Sequence, residues 1–192
     1  MTAHGRVVYD DGFLSVHVEE VDIDGARVPF STVHLGPGVV VIAMSTDGTV
    51  HLVEEFRRAR GAPSLECVGG RVEEGESVEQ AAKRELREET GIEAVDWTKL
   101  GEFWPHTSKV VATASIWLAT GLTFNSPSPE PGERIRVIPT PLTEAMAMVR
   151  DCRIVHAPSA LAVLLTSLAH QAPWTGHGGC EPPGLASSFN WL

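Results

Sequence analysis

The sequence predicts an α+β fold, or an α/β/α sandwich in which helices cover both faces of a mixed sheet. Two observations support this fold class. The first 56 residues contain short, partly alternating apolar runs, and a helical pattern, a second β-rich segment and two further helical patterns follow. A chain of 192 residues is long enough to bury one core of this kind.

The N-terminal region, residues 6–56, predicts consecutive strands joined by tight turns. The turn signals are Asp10-Asp11-Gly12, Asp24-Gly25 and Ser45-Thr46-Asp47-Gly48. Each contains an Asp-Gly pair, which favours the backbone conformation of a hairpin turn. We therefore expect antiparallel pairing along this part of the chain.

Helix signals begin after residue 76. Ser77 followed by Gln80 forms a capping-box pattern, and Gly91 provides a C-terminal cap, so a helix is predicted over residues 78–90. Strand-like segments are predicted at about 95–103, 110–119 and 134–138. A second helix is predicted from Pro141 to Arg150 and a third near Pro158 and the apolar run 160–168, whereas residues 172–192 have the composition of an irregular tail.

Composition and charge limit the classes of function. The net charge is −10 and the isoelectric point is near 5.2, which disfavours binding to nucleic acid and suits a protein that recruits divalent cations. No helix-turn-helix segment is apparent. The three cysteines have no CxxC spacing, and the chain has neither a membrane-spanning apolar run nor a signal-peptide core, so we expect a cytoplasmic protein with reduced thiols and no membrane partner.

The predicted helix at 78–90 carries a group of carboxylates on one side. Glu85, Glu88 and Glu89 fall within a sector of roughly 100°. Two carboxylates about 5 Å apart repel by roughly 3 kcal/mol at an effective dielectric constant of 20. Arg84 neutralises only part of this charge. The open alternatives are a solvated acidic face and a site for a hard divalent cation such as Mg²⁺.

The spacing of the surrounding residues favours the cation site. The stretch has the pattern Gly70-x5-Glu76-x7-Arg84-Glu85-Leu86-x-Glu88-Glu89-x-Gly91-Ile92. It resembles a complete Nudix box, the signature of hydrolases that act on nucleoside diphosphates linked to another moiety. The resemblance implies a Nudix fold and metal binding by Glu85, Glu88, Glu89 and the Gly69 carbonyl, with Mg²⁺ as cofactor and Mn²⁺ as an alternative. Glu76 and Arg84 are implied to form a structural ion pair.

The segments that flank the box resemble those of ADP-ribose pyrophosphatases, over about residues 38–168. They are Glu55-Phe56-Arg57, Leu65 to Gly70, Phe103-Trp104-Pro105, Ile116 to Leu122, Gly132 to Val137 and Ile154 to Leu161. The resemblance suggests substrate contacts for Arg57, Glu66, Trp104 and Pro105. From the residues alone, the alternatives are a surface arginine for Arg57, a brace for Arg57 in the case of Glu66, and a core aromatic for Trp104.

One segment departs from the family pattern. The proline at position 105 is followed by His106-Thr107-Ser108-Lys109, and no acidic residue occurs before Glu130. Many of the resembled enzymes have a glycine-rich turn with an acidic residue here, so substrate contacts made by that turn are not transferred to this chain.

The resemblance also implies an activity and an assembly. We expect hydrolysis of the pyrophosphate bond of a nucleoside diphosphate sugar, with ADP-ribose giving AMP and ribose 5-phosphate. The rivals are another nucleotide sugar, a nucleoside triphosphate, or a non-catalytic module that senses ADP-ribose. Glu133 occupies the position of the family's loop glutamate and is expected to be catalytic together with Glu88 and Glu89, with Glu130 as the runner-up.

The expected domain plan has three parts. Residues 1–36 are expected to be a β-rich segment that pairs two chains into a homodimer, although a hairpin folded onto its own chain is the alternative. Residues 37–171 are expected to form the Nudix hydrolase domain, and residues 172–192 the irregular tail.

Overall fold

The structure, a computed structural model, describes residues 5–128 and 134–171. The strands before the first helix are β1 (Arg6–Asp10), β2 (Leu14–Ile23), β3 (Ala26–Leu35), β4 (Gly38–Met44), β5 (Thr49–Arg57), β6 (Ala62–Glu66) and β7 (Val68–Arg71). The later elements are α1 (Val78–Thr90), β8 (Ile92–Phe103), β9 (Val110–Val111), β10 (Ala114–Phe124), β11 (Arg136–Pro141), α2 (Leu142–Arg150) and α3 (Ala157–Gln171).

The main sheet has the strand order β11-β5-β4-β10-β8, with β6 paired to β5 and β7 paired to β4. It is mixed, because β10 runs parallel to β4 whereas the other pairs are antiparallel. Side chains of β4 alternate between the two faces. Val40 and Ile42 pack with α2 and α3, and Val39 and Val41 pack with α1. The predicted α/β/α sandwich is therefore confirmed.

A second sheet with the order β1-β2-β3-β9 precedes and adjoins the sandwich. Strands β1, β2 and β3 are antiparallel, as the Asp-Gly turns predicted, and β9 adds a short parallel pairing at Val33 and His34. Several apolar side chains of this sheet are exposed, namely Val7, Val8, Tyr9, Ile23, Val28 and Leu35.

The predicted helices are present with almost the predicted limits. In α1 the Ser77 and Gln80 side chains form the reciprocal capping box, and Gly91 caps the C-terminus with a φ of 70°. Strands β6 and β7 were not predicted, because Pro63 and the Gly69-Gly70 pair are poor strand formers. Pairing with β5 and β4 nevertheless extends them. Within the described residues, no helix is long and apolar enough to cross a membrane.

Candidate active site

The acidic side of α1 faces the glycines of β7 across a cavity of about 220 Å³. Its wall includes Glu55, Gly69, Gly70, Arg84 and the three α1 carboxylates. Glu89 is the most deeply placed of these, with only 7% of its surface exposed. The structure therefore brings together the box residues that were expected to hold a metal ion.

Arg84 lies at the centre of the box and uses all five of its N–H donors. Nε and Nη2 donate to the Glu76 carboxylate at 3.0 and 3.1 Å, and Nη2 also donates to the Arg71 carbonyl at 2.9 Å. Nη1 donates to Glu85 Oε1 at 2.8 Å and to Glu88 Oε2 at 3.2 Å. One guanidinium thus ties the loop before α1 to the helix and also offsets the charge of two carboxylates.

The Glu76–Arg84 pair perturbs both ionisations. The hydrogen bonds from Arg84 hold the pKa of Glu76 below its usual value, and those bonds in turn raise the pKa of Arg84. Both groups therefore stay charged throughout the neutral range, and the ion pair persists there.

Gly70 makes room for Glu85. A Cβ atom at position 70 would overlap the Glu85 carboxylate where it lies, so a larger residue at this position would force the carboxylate to move away from β7. The donors around the cavity are carboxylate and carbonyl oxygens, which are the ligands that hard cations such as Mg²⁺ prefer. The residue types and the glycine cradle therefore fit a divalent metal ion.

The carboxylates of Glu85, Glu88 and Glu89 are not arranged as the ligands of one metal ion. In residues 5–128 and 134–171, no three His, Cys, Asp or Glu side chains are grouped so that they could hold one ion as they are placed. Glu85 and Glu88 are instead turned onto Arg84 Nη1. These two contacts engage one carboxylate oxygen of Glu85 and one of Glu88.

Arg57, at the end of β5, is held between two carboxylates. Its Nε and Nη2 donate to the two oxygens of Glu66 at 3.3 and 2.8 Å, and its Nη1 lies 2.6 Å from Glu55 Oε2. Burial lowers the pKa of Arg57, but the hydrogen bond with Glu66 and the nearby carboxylates of Glu55 and Glu89 outweigh it and raise the pKa. Arg57 is thus a permanently charged fork beside the acidic cavity.

A larger cavity of about 670 Å³ adjoins the acidic one. The two share the walls formed by Phe13, Arg57, Gly69, Gly70 and Arg71. Most of the larger cavity is apolar, but Arg57, Glu66 and His156 form a polar side. A substrate with a charged centre and a bulky organic part would fit across both cavities.

Two of these wall residues, Phe13 and His156, were not singled out from the sequence. Phe13 comes from the β1–β2 turn, and its ring lies 3.2 Å from the Arg71 guanidinium carbon, a cation–π geometry. His156 precedes α3 and meets Glu66 through Nδ1 at 3.4 Å. The residue types at these two positions did not indicate a site, because only the folded chain brings them next to the box.

The remaining predicted site residues lie in different places. Pro105 lines the larger cavity. Trp104 lines neither of the two cavities and instead borders a pocket of about 130 Å³ with Phe103 and Leu161. Glu133 and the alternative Glu130 lie outside the described residues, as does the tail at 172–192.

Comparisons with known proteins agree with this architecture. The NUDIX domain family model matches residues 34–147. The ADP-ribose pyrophosphatase of Bacillus subtilis (strain 168) is 26% identical over 159 residues, which cover 81% of this chain and 86% of that protein. The CMP-5'-(N-acetyl-N-hydroxy-3-aminopropyl)phosphonate hydrolase of Streptomyces rubellomurinus is 30% identical over 172 residues, covering 88% and 84%.

Among solved structures, the crystal structure of an ADP compounds hydrolase matches with a TM-score of 0.79 at 23% identity. The match covers 88% of this chain and 94% of that one. At this level of identity the likeness shows a shared fold.

Proposed function

The chain belongs to the NUDIX family of hydrolases, and from this premise we propose that it cleaves the pyrophosphate bond of a nucleoside diphosphate sugar, with ADP-ribose as the expected substrate. Water adds to one phosphorus, the bond from that phosphorus to the bridging oxygen breaks, and the products are AMP and ribose 5-phosphate. The observation that carries the proposal is the acidic cavity opening into a larger, mostly apolar one.

We assign the metal ligands to Glu85, Glu88, Glu89 and the Gly69 carbonyl, with Mg²⁺ as the ion and Mn²⁺ as a substitute. A divalent ion bound there would polarise the phosphoryl oxygens and lower the pKa of the attacking water. The support comes from the all-oxygen donor set around one cavity and from the space that Gly70 leaves for the Glu85 carboxylate.

Arg57 is proposed to bind the diphosphate. Glu66 and Glu55 occupy three of its five N–H donors, which leaves donors on Nη1 and Nη2 for phosphate oxygens. Glu66 then has a bracing role, because its bidentate contact fixes the plane of the guanidinium. Pro105 contributes apolar surface to the larger cavity. Trp104, the preceding residue, is proposed to support this wall by holding Pro105 in position.

A base from the 129–133 segment completes the proposed site. The α1 carboxylates are assigned to the metal ion, so the group that accepts the proton of the attacking water is proposed to be Glu133, with Glu130 as the alternative. This role rests on the family resemblance of the Gly132 to Val137 segment alone.

A product assay tests the proposal. The protein is incubated with Mg²⁺ and ADP-ribose, other ADP- and GDP-sugars, CMP-linked compounds and nucleoside triphosphates, and the products are identified by mass spectrometry. Reaction in H₂¹⁸O then reports which phosphorus the water attacks, because one product carries the label. The CMP-linked compounds belong in the panel because the 30% identical relative is named for one. Preferential turnover of a triphosphate would refute the nucleotide-sugar assignment.

The N-terminal sheet is proposed to pair two copies of the chain into a homodimer, with residues 37–171 as the hydrolase domain. Val7, Val8 and Tyr9 of β1 are each about half exposed, and apolar side chains on an edge strand favour association. Light scattering at micromolar concentration tests the mass, and Val8→Lys should weaken a dimer that uses β1. A monomeric mass for the unmodified protein would contradict this assembly.

A further inference from the structure

His156, just before α3, is held by contacts to one of its two ring nitrogens. Nδ1 lies 2.8 Å from Ser159 Oγ and 3.4 Å from Glu66 Oε2. Ser159 is fully buried, and its Oγ also accepts the backbone N–H of Cys67 at 2.8 Å. The Nδ1 side of the imidazole is therefore held by the first turn of α3 and by the end of β6.

The charge of Glu66 favours one tautomer of this ring. Burial holds the pKa of His156 below its ordinary value, although Glu66 acts to raise it, so the ring is neutral at neutral pH. The negative carboxylate of Glu66, 3.4 Å from Nδ1, favours the tautomer of the neutral ring whose proton is on Nδ1, and in that tautomer Nδ1 donates to Ser159 Oγ. Nε2 is left as an acceptor.

The position of the ring makes this acceptor useful. His156 borders the larger cavity together with Arg57 and Glu66, and 37% of its side chain is exposed. The same cavity is also lined by apolar residues such as Leu35 and Ala112. Because the surface of this cavity is mostly apolar, a fixed hydrogen-bond acceptor has a large influence on which ligands bind.

We propose that His156 is a specificity-determining residue whose Nε2 accepts a hydrogen bond from a ribose hydroxyl of the substrate. The inference rests on the proposed function, because it takes a nucleotide sugar to be the molecule that spans the two cavities. In this proposal the polar side of the larger cavity binds the sugar, and Glu66 orients the His156 ring.

Two analogues of ADP-ribose test the proposal and distinguish the two riboses. In one, a tetrahydrofurfuryl group without hydroxyls replaces the terminal ribose, and in the other the adenosine ribose is 2′,3′-dideoxy. His156→Asn is the main variant, because its amide can reproduce the Nδ1 contacts but offers nothing at the Nε2 position. His170→Asn, at an exposed site in the last turn of α3, is the matched control.

We expect His156→Asn to lower kcat/KM for ADP-ribose about tenfold, the value of one hydrogen bond, and to do so through KM. His156→Asn and the unmodified protein should turn over the analogue that lacks the recognised hydroxyl equally well. The variant therefore loses the preference for ADP-ribose over this analogue that the unmodified protein shows. His156→Gln, whose longer side chain can reach the Nε2 position, should recover part of it. His170→Asn should behave like the unmodified protein.

Equal loss on ADP-ribose and both analogues would show that His156 is only structural and would overturn the proposal, as would no change in any of them. Calorimetric titration of the three ligands without a metal ion keeps the test independent of turnover. If the unmodified protein cleaves no nucleotide sugar, the proposed function fails. In that case the role of His156 is overturned as well if the unmodified protein and His156→Asn bind ADP-ribose and the two analogues with equal or undetectable affinities.

Discussion

Replacement of Arg84 by alanine should destabilise the protein and should do so mainly when no metal ion is present. The side chain is 18% exposed and makes five hydrogen bonds, four of them to the carboxylates of Glu76, Glu85 and Glu88. A hydrogen bond to a charged group contributes about 1.5–3 kcal/mol. The five are not additive, since they share one side chain and water can reach part of the site.

We therefore expect a loss of about 2–4 kcal/mol in the free energy of unfolding. For a chain of this size this corresponds to a fall in Tm of roughly 5–15 °C. The loss has two sources. The loop before α1 is released from the helix, and Glu85 and Glu88 repel each other without the guanidinium between them.

The assay is urea denaturation followed by circular dichroism, with and without Mg²⁺. Because a divalent cation would supply the positive charge that Nη1 supplies here, Mg²⁺ should stabilise Arg84→Ala more than it stabilises the unmodified protein. Arg84→Lys keeps the positive charge but loses the planar guanidinium, so its free energy of unfolding should lie between those of Arg84→Ala and the unmodified protein. Arg87→Ala is the control, since Arg87 is 57% exposed and lies 4.0 Å from Glu88.

A loss below about 0.5 kcal/mol for Arg84→Ala, the usual scale for surface substitutions, would refute the structural role of this arginine. An equal effect of Mg²⁺ on Arg84→Ala and on the unmodified protein would refute the idea that the ion and the guanidinium offset the same charges.

Three further predictions concern carboxylates. Glu89→Gln should lower kcat about 10²-fold or more with an unchanged or slightly higher Tm, because a metal ligand and a repulsion are lost together. The exposed Glu79→Gln on the same helix is its control, and full turnover by Glu89→Gln at saturating Mg²⁺ would contradict the ligand assignment. Glu133→Gln should also lower kcat about 10²-fold with little change in Tm; a loss only in Glu130→Gln would move the role to that residue. Finally, the pKa of Glu76 is depressed from 4.5 in the folded protein, so its contribution to stability is complete above about pH 4.5 and is lost as the pH falls through the folded value. Urea midpoints between pH 3 and pH 7 should therefore fall less steeply on the acid side for Glu76→Gln than for the unmodified protein.

Helix α1 shows how much the sequence can specify through local signals. The capping side chains of Ser77 and Gln80 and the left-handed cap at Gly91 lie within one short segment, and each acts on the backbone next to it. The sector that holds the three carboxylates follows from helical geometry alone. The limits of this helix and the grouping of its acidic residues were therefore predictable without any tertiary information.

Strands β6 and β7 show where local signals fail. Pro63 and the Gly69-Gly70 pair disfavour a strand, yet β6 pairs with β5 and β7 with β4 along their lengths. The hydrogen bonds and burial that this pairing supplies outweigh the weak intrinsic preference of the segment. Gly70, which weakens the strand, also admits the Glu85 carboxylate, a contact that forms only when β7 lies beside α1.

The sequence by itself determined the fold class, the hairpin turns, the limits of α1 and the identity of the acidic cluster, because each depends on neighbouring residues or on a fixed spacing. Only the tertiary structure decided how the charges are offset and which residues line the two cavities. Arg84 reaches two of the helix carboxylates as well as Glu76, while Phe13 and His156 arrive at the same cavity wall from distant segments of the chain. Such contacts are set by how the sheets and helices pack, and packing between distant segments leaves no periodic trace in the order of residues.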